Sequence, residues 1–229
     1  MTPPDISRAL AMVQLAVFEA VNAVDRNYEP YSGSYLPVAG PVSKDLAAAQ
    51  AAYAMLSVLF PEGQSSYVSR LAADQAAVSD ATVRTRSTDL GNAAAQLITQ
   101  LRVADGANAG NSYQPQAPVT AGAWQPTSNV LWGTPNGGAV HPEWGFVRPF
   151  ALATGDQFLP PPPPLLNSAA YASAYYEVQT LGRATGTRRT AEQQKIPYFW
   201  ADGPGKVTCY IDGMNVPPGK AVAPIRCAR

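Results

Sequence analysis

The stretch that decides the fold is PPDISRALAMVQLAVFEAVNAVD, residues 3–25. Apolar side chains recur in it at steps of three and four, the spacing of one face of an amphipathic helix: Ile6, Leu10, Val13, Val17, Ala20 and Val24. Thr2, Pro3 and Asp5 supply a capping residue, a first-turn proline and an acid near the positive end of the helix dipole. The stretch therefore predicts one long helix that buries this stripe.

Three more helices are predicted before Gly106, over residues 43–60, 64–78 and 80–104. The first begins at a capping serine and ends before a proline, which cannot continue the helical hydrogen bonds: Ser43 and Pro61. The side chains predicted to face inward are Leu46, Ala49, Tyr53, Leu56, Phe60, Tyr67, Leu71, Val83, Leu90, Ala94, Leu97 and Leu101. No segment alternates with the period of a strand, so residues 1–105 are predicted to form an all-α four-helix bundle.

Residues 106–166 are rich in proline and glycine and include a run of prolines at 160–164. Few helices tolerate such residues, so an irregular wrap is predicted. Aromatic side chains would anchor the wrap on the bundle: Trp124, Trp132, Trp144, Phe146, Phe150 and Phe158. We interpret the proline run as a stiff polyproline spacer rather than as a ligand for a proline-binding partner.

Residues 167–202 are predicted to form two helices that pack on the bundle, over 168–181 and 190–200. Ser168 caps the first helix, and the segment 190–193 (TAEQ) is a capping box that opens the second. Pro197 lies deep inside the second helix and is expected to kink or shorten it. Residues 203–229 are predicted to be an irregular tail.

The composition argues against charged macromolecular partners. Charged residues make up 14% of the chain, and 16 basic residues balance 16 acidic ones, so no nucleic-acid interface is predicted. No uninterrupted apolar run reaches the roughly 20 residues of a membrane span, and no signal peptide follows Met1. The chain as written is therefore expected to be soluble and cytoplasmic. The sequence leaves open whether Cys209 and Cys227 pair.

Several segments occur in an order that resembles one enzyme family. They are 7–13 (SRALAMV), 18–26 (FEAVNAVDR), 122–127 (GAWQPT), 142–150 (PEWGFVRPF), 157–158 (QF), the proline run, and 188–193 (RRTAEQ) with 199–200 (FW). This order resembles the amino-terminal half of the bacterial vanadium-dependent haloperoxidases, relatives of the type 2 phosphatidic acid phosphatases. The resemblance covers nearly everything from Thr2 to about Gly205. It implies the helical scaffold of an oxidoreductase family whose members are typically exported.

The resemblance does not extend to the chemistry of that family. Its oxyanion site takes several lysine and arginine donors and at least two histidines, one for the central atom and one for proton transfer. This chain has a single histidine, His141, which we interpret as an exposed or locally bonded loop residue. The family's lysine-arginine, serine-glycine-histidine and arginine-histidine motifs find no match. No catalytic, cofactor-binding or metal residue is therefore assigned, and vanadate is expected only in full-length relatives.

Other polar residues are assigned structural roles. A cluster at the end of the first helix is interpreted as ion pairing, with Glu19 paired to Arg148 or Arg189; it comprises Glu19, Asn22, Asp25 and Arg26. Three residues are expected to bond to backbone carbonyls or carboxylates and to hold the wrap on the bundle: Arg148, Arg189 and Gln193. Replacing Arg148 by alanine would then lower the stability by about 1 to 3 kcal/mol.

Two functions are predicted from these observations. The first is a truncated haloperoxidase-like protein, the scaffold half without the oxyanion site, inactive alone until the carboxyl-terminal half is restored. The second is a helical interaction module that binds a protein partner through an apolar face. A homo-oligomer or a partner domain would cover that face. The substrate, the halide and the origin of the truncation, whether natural, by frameshift or by fragmentation, are left open.

Overall fold

The chain folds into six helices, seen in a computed structural model that describes residues 3–108, 113, 121–124, 139, 141–183 and 188–200, the last four by backbone alone. The helices are α1 Pro3–Asp25, α2 Lys44–Leu59, α3 Gln64–Ala76, α4 Ala81–Arg102, α5 Ala169–Leu181 and α6 Ala191–Trp200. Every bound lies within two residues of its prediction. The described residues contain no strand, so the all-α prediction is confirmed.

Local side-chain hydrogen bonds fix where four of the helices begin. Backbone amides of the first turns of α2, α4 and α5 donate to the side chains of Ser43, Asp80 and Ser168. At α6, Thr190 and Gln193 form the predicted capping box, because each backbone amide donates to the other residue's side chain, at 2.9 and 3.2 Å. The predicted cap at Thr2 lies outside the described residues. Helix starts were predictable because caps depend on residues only two or three positions apart.

Helices α1, α2 and α4 pack on one another and enclose the core, and α3 packs on α2. The core side chains are mostly small: Ala9, Ala16, Ala20, Ala23, Ala47, Ala51, Ala94 and Ala95, with Met12, Val13, Met55, Leu90 and Ile98. Small side chains let helix backbones approach closely. At Gly91 of α4, a Cβ atom would lie 2.6 Å from the carbonyl oxygen of Ala47 in α2. The α2–α4 contact therefore depends on a position without a side chain.

The buried faces of the helices differ in part from the predicted stripes. On α1, Val13 and Ala20 are buried as predicted, but Leu10 is 52% exposed, and the buried ridge includes Ala9, Ala16 and Ala23. In α2 the buried residues beyond Leu46 are Ala47, Gln50, Ala51 and Met55 instead of the predicted stripe. The physical reason is that α1 packs against two helices at close range, which favours alanine over the longer side chains that the hydropathy pattern selected.

Two helix ends differ in detail from their predictions. The helix α4 ends at Arg102, before the predicted residue 104, and Gly106 adopts the left-handed backbone conformation (φ +94°) in the following turn. The backbone of α6 continues through Pro197 to Trp200, so the proline does not shorten this helix. Proline removes one amide donor, and a helix of ten residues tolerates that loss here.

The chain divides into two compact units, residues 1–159 and 160–229. The first unit contains α1 to α4 and the segment 141–159, which includes a short 3-10 helix at Trp144–Phe146. The second unit contains α5 and α6. The predicted packing of these two helices on the bundle stays a prediction, and the tail 203–229 with Cys209 and Cys227 lies outside the described residues.

Helix α1 is long and apolar enough to cross a membrane by length and composition, with a mean hydropathy of 1.3, although no membrane span was predicted from the sequence. In the structure 44% of this apolar window is buried inside the protein. Its buried face packs against α2 and α4. A core helix of a globular bundle shows this same combination of length, hydropathy and burial, so the finding is weak support for a membrane span.

Candidate functional site

A groove opens between the start of α1, the end of α4 and the segment 144–155, with a volume of about 400 Å³. We call it the α1 groove; its walls include Ser7, Arg8, Ala11, Trp144, Val147 and Phe150. Helix α1 contributes Pro4, Ser7, Arg8 and Ala11, which share one face because they are spaced by three and four positions. The groove is therefore built on the helix that begins the fold.

A buried carboxylate joins two arginines beside the groove. Asp105 Oδ2 accepts hydrogen bonds from Arg8 Nε at 2.8 Å and lies 2.7 Å from Arg102 Nη2, while Asp105 Oδ1 accepts from the backbone amide of Ala107 at 3.0 Å. The side chains of Arg102 and Asp105 are each 1% exposed. Burial alone would raise the pKa of Asp105, but the hydrogen bonds from Arg8 and Ala107 and the charges of both arginines hold that pKa below its usual value. The carboxylate is thus charged at neutral pH.

The Arg102 side chain fastens the segment that follows the 3-10 helix. Its Nη2 donates to the carbonyl oxygen of Arg148 at 2.6 Å, and its Nη1 donates to that of Pro149 at 3.2 Å. Its guanidinium carbon lies 3.9 Å from the ring centroid of Phe150. The backbone amide of Arg148 also donates to the carbonyl oxygen of Asp105 at 2.8 Å. One arginine at the end of α4 therefore holds residues 148–150 by their backbone and by one aromatic ring.

This holding role was predicted for other residues. The side chain of Arg148 is exposed, and its backbone makes the hydrogen bonds described above. Arg189 does bond to a backbone carbonyl, that of Leu181 at 2.7 Å, but within the second unit. Gln193 serves in the capping box of α6. The predicted role of Arg148 was therefore wrong, and Arg102 fills it because it lies at the helix end that the segment crosses. For Arg189 and Gln193, holding the wrap on the bundle stays a prediction.

His141 lies between two carboxylates at the edge of the described part of this segment. Its Nδ1 is 3.0 Å from Glu143 Oε1 and its Nε2 is 3.4 Å from Asp5 Oδ2 in the first turn of α1. The ring also contacts Trp144 edge to face, with centroids 5.0 Å apart. The hydrogen bond to Glu143 raises the pKa of His141, and the charge of Asp5 acts in the same direction. The prediction of a locally bonded loop histidine agrees with these contacts.

The polar cluster at the end of α1 holds the loop that follows the helix. Glu19 is 1% exposed and accepts a hydrogen bond from the backbone amide of Ser32 at 2.8 Å, so its predicted pairing with an arginine was wrong. Asn22 bonds both backbone groups of Tyr28, at 2.7 and 3.0 Å. Outside the core, Asp25 pairs with Lys44 at 2.9 Å. The cluster is structural, as predicted, but it mainly satisfies backbone groups of a loop.

The chemistry that this site offers follows from its charges. Arg8, Arg102 and Asp105 together carry one excess positive charge, held next to apolar walls. Within the described ranges, no group of three or more histidine, cysteine, aspartate or glutamate side chains is arranged to hold a metal ion. Arg8, Arg102 and Asp105 could not be predicted as a site from the sequence, because the last two lie more than 90 positions from Arg8 along the chain.

Comparison with known proteins identifies no relative for this chain. No protein-family model, no curated protein and no solved structure matches it.

Proposed function

We propose that this chain is a helical scaffold of the kind found in the amino-terminal half of the vanadium-dependent haloperoxidases and related phosphatases, without oxyanion chemistry of its own. The observation that carries the proposal is the commitment of two arginines, the buried Arg102 and the partly buried Arg8, to one carboxylate, Asp105. Arg102 in turn holds residues 148–150 on the bundle, which is a scaffold's task.

The position of His141 supports the same proposal. An oxyanion bound at this imidazole would lie beside the carboxylates of Asp5 and Glu143, which are 3.4 and 3.0 Å from its two nitrogens. Like charges at such distances repel one another strongly. The reaction also takes a second histidine to move protons, and the sequence contains one histidine in total. His141 is therefore better suited to a structural contact than to binding vanadate or phosphate.

Vanadate titration followed by calorimetry tests the proposal directly. The purified chain should show no stoichiometric binding of vanadate. It should also show neither bromide oxidation with vanadate and peroxide nor phosphate ester hydrolysis above background. Tight binding with one vanadate per chain, lost in His141→Ala and kept in the distant surface variant Asp74→Asn, would overturn the scaffold proposal.

One observation favours the second candidate, an interaction module. In the first unit Phe146 is 88% exposed and Val103 is 72% exposed. A large aromatic side chain left in water is typical of a contact surface, because aromatic residues dominate the energy of protein interfaces. We propose a second copy of this chain as the occupant to be tested. Sedimentation over a range of concentrations should show a dimer that Phe146→Ser abolishes; a monomer at every concentration would remove this alternative.

A further inference from the structure

The α1 groove lies against a largely buried cluster of charges, Arg8, Arg102 and Asp105, in which the positive charge is in excess. Arg8 and Arg102 bring two positive charges and Asp105 brings one negative charge. The carboxylate oxygens of Asp105 already accept from Arg8, from Arg102 and from the amide of Ala107. Burying an uncompensated charge is costly, so a structure that keeps one usually provides for a counter-charge.

Two arginines in the groove wall have donor capacity to spare. Arg102 Nε is buried and has no hydrogen-bond partner within the part of the chain that the structure describes. Arg8 directs Nε to Asp105 and Nη2 to the carbonyl oxygen of Arg102, whereas a guanidinium has five N–H donors. Both residues line the groove. The excess charge is therefore next to a space that a ligand can enter.

The rest of the groove is apolar. Ala11, Val147 and Phe150 contribute hydrocarbon surface, and Trp144 adds an aromatic ring. A volume of about 400 Å³ lies in the range of small-molecule sites, which combine apolar walls with a few directed polar groups. Arg148, also in the wall, is exposed and is the third arginine of the lining.

We propose that the α1 groove binds the carboxylate group of a small, otherwise apolar organic acid. The carboxylate pairs with Arg8 beside the buried Arg102, and the hydrocarbon part lies against Ala11, Val147 and Phe150. A carboxylate fits this site because its planar fork matches the guanidinium of Arg8. A phosphate dianion would have to give up its hydration against apolar walls.

Titration with hexanoate, followed by the amide signals of the uniformly ¹⁵N-labelled chain, tests this site. The shifts of these signals should reach saturation as hexanoate is added, with a Kd of about 1 mM, as expected for a ligand of this size. Hexan-1-ol has the same hydrocarbon chain without the charge, and inorganic phosphate has the charge without the chain. Each should bind at least about tenfold more weakly than hexanoate, since each lacks one of the two contributions.

Two matched variants locate the binding. Ala11→Phe fills the groove from α1 and leaves the arginine pair and Asp105 intact, so it should weaken hexanoate binding at least about tenfold. Gln14→Phe adds the same ring at an exposed position of the same helix and should leave hexanoate binding unchanged. Thermal melting of both variants checks that they fold. Arg8→Ala is a less suitable test, because losing the bond to Asp105 can unfold the chain.

Several results would overturn the inference. They are the absence of saturation by hexanoate, equal affinity for hexan-1-ol, and hexanoate binding that Ala11→Phe leaves unchanged. Tighter binding of phosphate than of hexanoate would also overturn it by pointing to an oxyanion site. The inference does not depend on the scaffold proposal, because hexanoate binding and vanadate chemistry are measured separately.

Discussion

The guanidinium of Arg102 lies 3.9 Å from the ring centroid of Phe150, and its nitrogens donate to the two backbone carbonyls just before that ring. A planar guanidinium can form hydrogen bonds at its edge and stack through its face at the same time, which an ammonium group cannot do. The end of α4 therefore orients a segment that has little regular structure of its own. The carboxylate of Asp105 keeps this guanidinium in place.

Replacing Asp105 by asparagine should strongly destabilise the first unit. The change removes the negative charge between Arg8 and Arg102 and leaves the buried Arg102 beside the partly buried Arg8 without a counter-charge, which costs about 3–5 kcal/mol. Urea denaturation of the variant and the parent protein measures the difference in the free energy of unfolding. The control is Asp74→Asn. Asp74 Oδ2 lies 3.8 Å from Nε of Arg70, whose side chain is 84% exposed, so losing this ion pair should cost less than about 1 kcal/mol. Equal effects of the two variants would contradict this account.

Replacing Arg148 by alanine should change the stability by less than about 0.5 kcal/mol, because its side chain is exposed and its backbone bonds persist. This expectation differs from the loss of about 1 to 3 kcal/mol that the sequence predicted.

Phe150→Leu should lower the free energy of unfolding by about 1–2 kcal/mol, because it removes the ring that stacks on the desolvated guanidinium of Arg102. Chemical denaturation measures the free energy of unfolding of Phe150→Leu and of Arg148→Ala. A larger loss of stability in Arg148→Ala than in Phe150→Leu would show that the Arg148 side chain contributes to stability.

The contrast between Arg148 and Arg102 shows what the sequence could predict. Helix starts depend on neighbours in the chain, as when the amide of Leu46 donates to Ser43, so they could be located from the sequence. The bonds of Arg102 to residues 46 and 47 positions away depend on how the chain crosses the end of α4. Neither hydrophobic periodicity nor helix-capping residues predict where the chain crosses α4. The candidate site, built from such long-range bonds, was therefore missed except for the local contacts of His141.

The buried faces of the helices were only partly predictable for a related reason. Hydropathy patterns favour large apolar side chains, and they selected Leu10 of α1, which is 52% exposed. Close helix packing favours small side chains, and it buries Ala16 and Ala20 completely. An alanine-rich helix offers several faces of nearly equal hydropathy. Which face is buried depends on the distance between the packed helices, and that distance cannot be predicted from a single sequence.

Replacing Gly91 by alanine should be destabilising even though alanine favours helices by about 1 kcal/mol over glycine. The new Cβ atom would lie 2.6 Å from the carbonyl oxygen of Ala47 and 2.9 Å from the amide nitrogen of Ala51, so α2 and α4 would have to separate. The expected net loss is about 1–3 kcal/mol, as in other overpacked cores. Gly145→Ala is the matched control, because no atom lies within 4 Å of its added Cβ. A stabilised Gly91→Ala variant would show that the helices are further apart than described.

The contact between His141 and the start of α1 should make the stability depend on pH. The raised pKa of His141 means that the folded state binds the proton more tightly than the unfolded state does. Its stabilising contribution is therefore fully present below the ordinary value of 6.5 and is lost as the pH rises through the raised pKa of the folded state. The pKa of Glu143 is lowered, first by a hydrogen bond to its own backbone and then by the bond to His141. The contribution of Glu143 to stability is therefore fully present above pH 4.5, the ordinary pKa, and is lost as the pH falls through the lowered pKa of the folded state.

Because the chain contains a single histidine, proton NMR can follow His141 without ambiguity. The imidazole should titrate above 6.5 in the parent protein. Glu143→Gln should bring the titration back toward that value, and Asp5→Asn should do so less, since Asp5 is the more distant carboxylate at 3.4 Å. The melting temperature of His141→Gln should fall below that of the parent at about pH 6 and equal it at about pH 9. An imidazole that titrates at or below 6.5 in the folded protein would mean that neither carboxylate binds it in solution.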